Sequence, residues 1–83
     1  MKSAMAGSVE SNDCLVTVTE SNTLEISIVS IVDAFFHSQI EEVIKNTLKE
    51  LKINSIKVEV QDKGALDYTI KARLITAIER MGK

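Results

Sequence analysis

The chain has 83 residues, 45% of them hydrophobic, and a formal net charge of -2. That length makes one small domain, and the apolar share excludes a wholly disordered chain. The near-neutral charge, with Phe35, Phe36 and Tyr68 as the whole aromatic complement, excludes a nucleic-acid surface built on basic charge and base stacking.

Residues 1–12 read as a flexible lead-in of small and polar side chains. Within it, Ser8 and Ser11 stand close to Glu10 and Asp13, where a modifying enzyme can reach them. From Cys14 to Thr19 the residues alternate: Cys14, Val16 and Val18 share one face, and Leu15, Thr17 and Thr19 the other. The β-branched bias predicts a strand. Glu20, Ser21 and Asn22 signal a turn. Leu24, Ile26 and Ile28 then alternate with Glu25 and Ser27, a second strand running to about Ile31. The short connection predicts that these two strands pair as an antiparallel hairpin.

Ser38 with Glu41 three residues on matches a capping box for the next element, and Asp33 is the rival cap. Ile40, Val43, Ile44, Thr47, Leu48 and Leu51 form a helical stripe ending near Lys52 and Asn54, with Glu41 and Lys45 spaced for an ion pair. Ile56, Val58 and Val60 alternate with Lys57, Glu59 and Gln61, a third strand stopped by Asp62, Lys63 and Gly64. Ile70, Leu74, Ala77, Ile78 and Met81 predict a second helix from about Asp67, with Gly82 beyond its end. A weaker alternative extends a hairpin through residues 67–71. The expected fold is α+β, a two-layer sandwich of order β-β-α-β-α with a flexible N-terminal arm. Residues 1–12 are the arm and 13–83 the single α/β domain. The crossover through the first helix would be right-handed if the strands it joins are parallel.

Catalytic equipment is sparse. His37 is the only histidine, and a lone histidine at a helix start reads as a surface or capping residue. One histidine and one cysteine cannot build a standard zinc site, and the acidic residues do not follow a calcium-loop spacing. Cys14 shares a face with Val16 and Val18, so it reads as core before nucleophile. Gly7, Gly64 and Gly82 are too scattered for a phosphate loop. With a single cysteine, no intrachain disulfide is possible, which fits a reducing compartment. No apolar run follows Lys2, so no signal peptide is visible, and the apolar stretch at 26–36 is too short and interrupted to span a bilayer. A cytoplasmic location is expected.

Two segments together are more specific. Ala6-Gly7-Ser8-Val9-Glu10-Ser11-Asn12-Asp13 resembles the N-terminal signature of the citrate lyase acyl carrier proteins, the gamma chains of citrate lyase. Asp62-Lys63-Gly64-Ala65-Leu66-Asp67, followed by Ile70-Lys71-Ala72-Arg73, resembles a second signature of that family near its C-terminus. The resemblance covers nearly the whole chain. It implies a non-catalytic carrier subunit whose serine in the Gly-x-x-Glu-Ser segment, here Ser11, holds 2'-(5''-triphosphoribosyl)-3'-dephospho-CoA through a phosphodiester. Ser8 stands where the family often has threonine and inherits no such role. Asn12 stands where relatives commonly show glycine or serine.

What the resemblance implies chemically is a swinging arm. Its terminal thiol carries acetyl; the alpha subunit exchanges acetate for citrate, and the beta subunit cleaves the citryl thioester to oxaloacetate with a divalent metal ion. A holo-carrier synthase attaches the group. Such a phosphoprotein of citrate fermentation needs no acid or base of its own, and tethering keeps the acyl group concentrated near both sites. The nearest alternative is the acyl carrier subunit of malonate decarboxylase, and a different-class alternative is an unmodified interaction domain. Ordinary phosphopantetheine carriers are all-helical with an Asp-Ser-Leu signature, which this chain lacks.

Overall fold

Branched apolar residues at every second position build the middle of the sheet. The computed structural model describes residues 2–31 and 34–82. Its elements run β1 (Ser3–Gly7), β2 (Cys14–Thr19), β3 (Leu24–Ser30), α1 (Ala34–Glu50), β4 (Ile56–Asp62) and α2 (Asp67–Met81). The strands form one mixed sheet in the order β1-β2-β4-β3. β2 is antiparallel to β1 and to β4, whereas β3 and β4 are parallel. The architecture is the α+β sheet-and-helix arrangement expected, with one strand more at its start.

Three expectations change. The predicted hairpin of β2 with β3 does not form, because β4 lies between them. The physical reason is burial. Cys14, Val16 and Val18 of β2 and Ile56, Val58 and Val60 of β4 are the residues closed off from water, so these two strands take the centre. β3, whose Ile26 and Ile28 are only half-buried, is left at the edge. Residues 20–23 step across the end of β4, and Ile56 N–H donates to the Thr23 carbonyl at 3.0 Å. Two strand spacings are about 9.5 Å, within reach of four residues.

The second change lies in the predicted lead-in. Ser3–Gly7 is strand β1, and Ala4 and Ala6 turn towards α2, which packs over β1 and β2. Small side chains score poorly as strand formers, yet only small ones leave room for a helix laid close over an edge strand. Arg80 of α2 donates to the Met5 carbonyl at 2.9 Å. A hairpin therefore exists, but between β1 and β2, with residues 8–13 as its loop.

The third concerns α1, which begins at Ala34 and places Ser38 inside the helix, so Ser38 is not its cap. Asp33, the rival cap, lies outside the described residues. α1 closes as a Schellman turn: Lys52 adopts φ 58, Lys52 N–H donates to Lys49 and Ile53 N–H to Leu48. Ile40, Ile44 and Leu48 are buried as the stripe predicts, Leu51 at its end is exposed, and buried Thr47 donates to the Val43 carbonyl at 2.8 Å. Glu41 and Lys45 face each other at 3.9 Å, exposed and worth little. α2 starts at Asp67 as expected and buries Ile70, Leu74, Ala77, Ile78 and Met81. Gly82 ends it at φ 97.

Candidate attachment loop

The β1–β2 loop is built around a glycine. Gly7 has φ +101, and a Cβ there would fall 1.9 Å from the Cys14 carbonyl oxygen. Only glycine lets the two strand ends approach so closely. Ser8 N–H then closes the loop on that same carbonyl at 3.1 Å. At the tip, Asp13 N–H donates to the Glu10 carbonyl at 3.2 Å, which makes residues 10–13 a β-turn. Ser11 is its first central residue. Asn12, the second, has φ 65, as a type II turn requires, and asparagine and glycine are the residues that tolerate it. The local backbone therefore accounts for Asn12 where the sequence alone showed only a departure from family habit.

The foot of the loop is held by charge. Arg73 of α2 forks onto Asp13, Nε to Oδ1 and Nη2 to Oδ2, both at 3.1 Å. Ser8 Oγ donates to Asp13 Oδ2 and Cys14 N–H to Asp13 Oδ1, each at 2.7 Å. The Arg73 guanidinium first, then these two donors, hold the Asp13 carboxyl down at about 2. Backbone pairing adds a third support: Asn12 N–H donates to Lys63 at 2.7 Å, and Lys63 N–H to Asp13 at 2.9 Å. Segments 6–13 and 62–73, far apart in sequence, thus meet at one place.

The two candidate serines part company here. Ser8 is half-buried; its hydroxyl is spent on Asp13 and also accepts from Glu10 N–H at 3.3 Å. Ser11 is exposed at the tip, and its hydroxyl has no hydrogen-bond partner among the described residues. The loop is anchored at its foot and open at Ser11, rather than loose along its length.

Two residues of this framework, Arg73 and Asp62, stand within the second signature segment without a role legible in the sequence. Arg73 lies three residues after Ile70 and four before Ala77, on the margin of the buried stripe, from where its guanidinium reaches Asp13. Asp62 ends β4 with its side chain buried; it accepts from Ser30 Oγ at 2.7 Å and from Ala65 N–H at 2.9 Å, shaping the 62–66 turn. Its place in the alternation of β4, on the face of Val58 and Val60, was the available signal.

Beside this turn lies an open depression of about 480 Å³, lined by Gln39, Ile40, Asp62, Gly64, Ala65, Leu66, Asp67 and Tyr68. Cys14 is fully buried, and burial, with the Asp13 and Asp62 charges, pushes its thiol up to about 11. Such a thiol is inert, as its place in the core face predicts. His37 is exposed on α1. Among the described residues no three His, Cys, Asp or Glu side chains cluster so as to hold a metal ion, and no helix is long and apolar enough to cross a membrane.

The sequence model described as the malonate decarboxylase delta subunit (MdcD), an acyl carrier family, matches residues 1–81. The citrate lyase acyl carrier protein of Halothermothrix orenii is 42% identical over 83 residues, 99% of this chain and 88% of that protein. Those of Clostridium perfringens and Streptococcus mutans are 47% and 48% identical, covering 95% of this chain and 80% and 79% of theirs. A chain in the crystal structure of a Pseudomonas malonate decarboxylase hetero-tetramer in complex with malonate superposes with a TM-score of 0.85 at 20% identity, over 98% of this chain and 84% of that one. The Staphylococcus aureus RNase P protein gives a TM-score of 0.57 at 13% identity, covering 94% and 82%. The last two likenesses speak to the fold alone. The sequence relatives, matched over 95–99% of this chain and 79–88% of their own length, establish that this chain belongs to the citrate lyase acyl carrier protein family.

Proposed function

We propose that the chain is the acyl carrier subunit of a cytoplasmic citrate lyase, with Ser11 as the attachment point: its hydroxyl displaces pyrophosphate from 2'-(5''-triphosphoribosyl)-3'-dephospho-CoA and keeps the phosphoribosyl-dephospho-CoA group as a phosphodiester. The observation that carries the reading is the contrast between the serines: Ser8 is tied into the loop, and Ser11 is presented free at its tip. An exposed hydroxyl on a turn can take a phosphodiester without moving a core residue, so the site fits the group. When bound, the group supplies a terminal thiol that carries the acyl load between the alpha and beta subunits.

The chain's own residues do the presenting. Arg73 and Asp13 fix the foot of the loop, Gly7 permits its narrow neck, and Asn12 turns the backbone so that Ser11 faces outward. Asp13 is no base for the Ser11 hydroxyl, because a carboxylate held at about 2 scarcely binds a proton near neutrality. On this reading the holo-carrier synthase supplies the base that takes the Ser11 proton during attachment.

The malonate decarboxylase reading has one observation in its favour, the close fold likeness to a chain of that hetero-tetramer. The relatives at 42–48% identity favour citrate. Treating the chain, Ser8→Ala and Ser11→Ala with a citrate lyase holo-carrier synthase and its prosthetic-group precursor tests the assignment by intact mass. The first two gain the mass and Ser11→Ala does not. Loading of Ser11→Ala, or loss of loading in Ser8→Ala alone, would move the site. Loading only by a malonate decarboxylase synthase would select the second reading.

A further inference from the structure

We propose that the depression between α1 and the 62–67 segment is a resting berth for the uncharged pantetheine section of the group carried on Ser11. The inference rests on the Ser11 reading. Two observations and the tethering of the arm support it. First, the berth adjoins the attachment loop: Lys63 exchanges backbone bonds with Asn12 and Asp13, and the next residue, Gly64, lines the depression. A Cβ on Gly64 would stand 3.6 Å from Asn12 Oδ1, so loop and rim share an edge.

Second, the walls match one part of the group and reject the rest. Ile40, Ala65, Leu66 and Tyr68 offer apolar surface, and Leu66 and Tyr68 stay 59% and 72% exposed in the free chain. The accessible polar lining is carboxylate and amide: Asp67 and Gln39, whose Nε2 donates to Asp67 at 3.2 Å, while buried Asp62 is spent on Ser30 and Ala65. Carboxylates repel phosphates but accept from amide N–H groups, so the pantetheine section fits and the phosphoribosyl section does not. Leu66 caps α2 without a side-chain bond, which leaves the helix start open to an amide carbonyl. The volume, about 480 Å³, lies in the range of small-molecule sites.

Third, the tether makes a weak site sufficient, since a flexible link able to span the gap raises the effective concentration towards roughly millimolar. The berth shelters the acyl-bearing end from water between visits to the larger subunits.

The test uses the full-length chain loaded on Ser11, with loading verified by intact mass. Amide spectra of the loaded and unloaded chains are compared, and the arm's terminal thiol is titrated with iodoacetamide. Buried Cys14 does not compete in that reaction. The expected result is shifted amides at Gln39, Gly64 and Tyr68, and alkylation roughly threefold faster in Leu66→Glu, as a docked fraction near two-thirds requires. Tyr68→Ala, at an exposed position, gives the same direction independently of any folding defect in Leu66→Glu. Shifts confined to residues 8–13 with equal alkylation rates overturn the berth while leaving the Ser11 reading intact. Shifts at the depression that arise only on adding the larger subunits assign it to a partner and overturn the berth as well. A chain whose mass shows nothing on Ser11 overturns both.

Discussion

The two edges of the sheet are built on opposite plans. β1 turns only the small Ala4 and Ala6 inwards, lies under α2 and runs into the loop that bears Ser11. β3 is rich in branched apolar residues, yet it is half-exposed, with Val29 at 67% and Ile31 just beyond it at 66%. The strand with the louder pattern is peripheral to the candidate site, and the quiet one builds it. Hydrophobic alternation reports how much apolar surface a strand offers, whereas a functional edge here is set by close approach and by one fixed carboxylate.

Substitutions at the two edges should therefore differ in kind. The largest effect belongs to Ser11→Ala: an assembled citrate lyase carrying it shows no turnover, while circular dichroism of the chain is unchanged. Loss of the folded spectrum would make Ser11 a structural residue instead. Next, Gly7→Ala combines a positive φ with a backbone clash, and chemical denaturation should show a loss of about 3 kcal/mol. A loss below about 1 kcal/mol would mean that the β1–β2 neck can open.

Arg73→Ala leaves the fold but frees the foot of the loop, and attachment should slow roughly tenfold as Ser11 loses its fixed presentation. The same variant has a titration signature. Asp13 sits at about 2 against an ordinary 3.8, so its anchoring contribution is fully present above 3.8 and is lost as the pH falls through about 2. Carbon-detected NMR of the Asp13 carboxyl should give that low midpoint in the native chain and a rise towards 3.8 in Arg73→Ala. An unmoved midpoint would detach the pair from the loop. Cys14→Ala should keep full turnover and cost about 1 kcal/mol as a small core vacancy. The smallest effect is expected at the other edge, where Val29→Ser changes stability within about 0.5 kcal/mol and leaves attachment untouched.

Much of the fold was legible because burial enforces period. β2, β4 and the stripes of both helices follow from alternation and helical spacing, and Gly82 ended α2 as its residue type implies. Ser3-Ala4-Met5-Ala6-Gly7 carries no such period, since its fit to α2 depends on smallness, which reads locally as a loop. The strand order was hidden for a related reason: a short link between β2 and β3 reads as a hairpin, and only the fuller burial of β4 places it between them. Ser11 was reached through a family resemblance, not through spacing. What separates it from Ser8 is a hydrogen bond to Asp13, and the Arg73 that fixes Asp13 is sixty residues away. No local pattern carries a contact of that range.

The most direct measurement is tandem mass spectrometry of the chain isolated from cells growing by citrate fermentation, with the modified residue located by fragmentation. The account predicts the mass of the phosphoribosyl-dephospho-CoA group on Ser11, with Ser8 bare. The group on Ser8, or an unmodified chain in cells whose holo-carrier synthase is active, would contradict it.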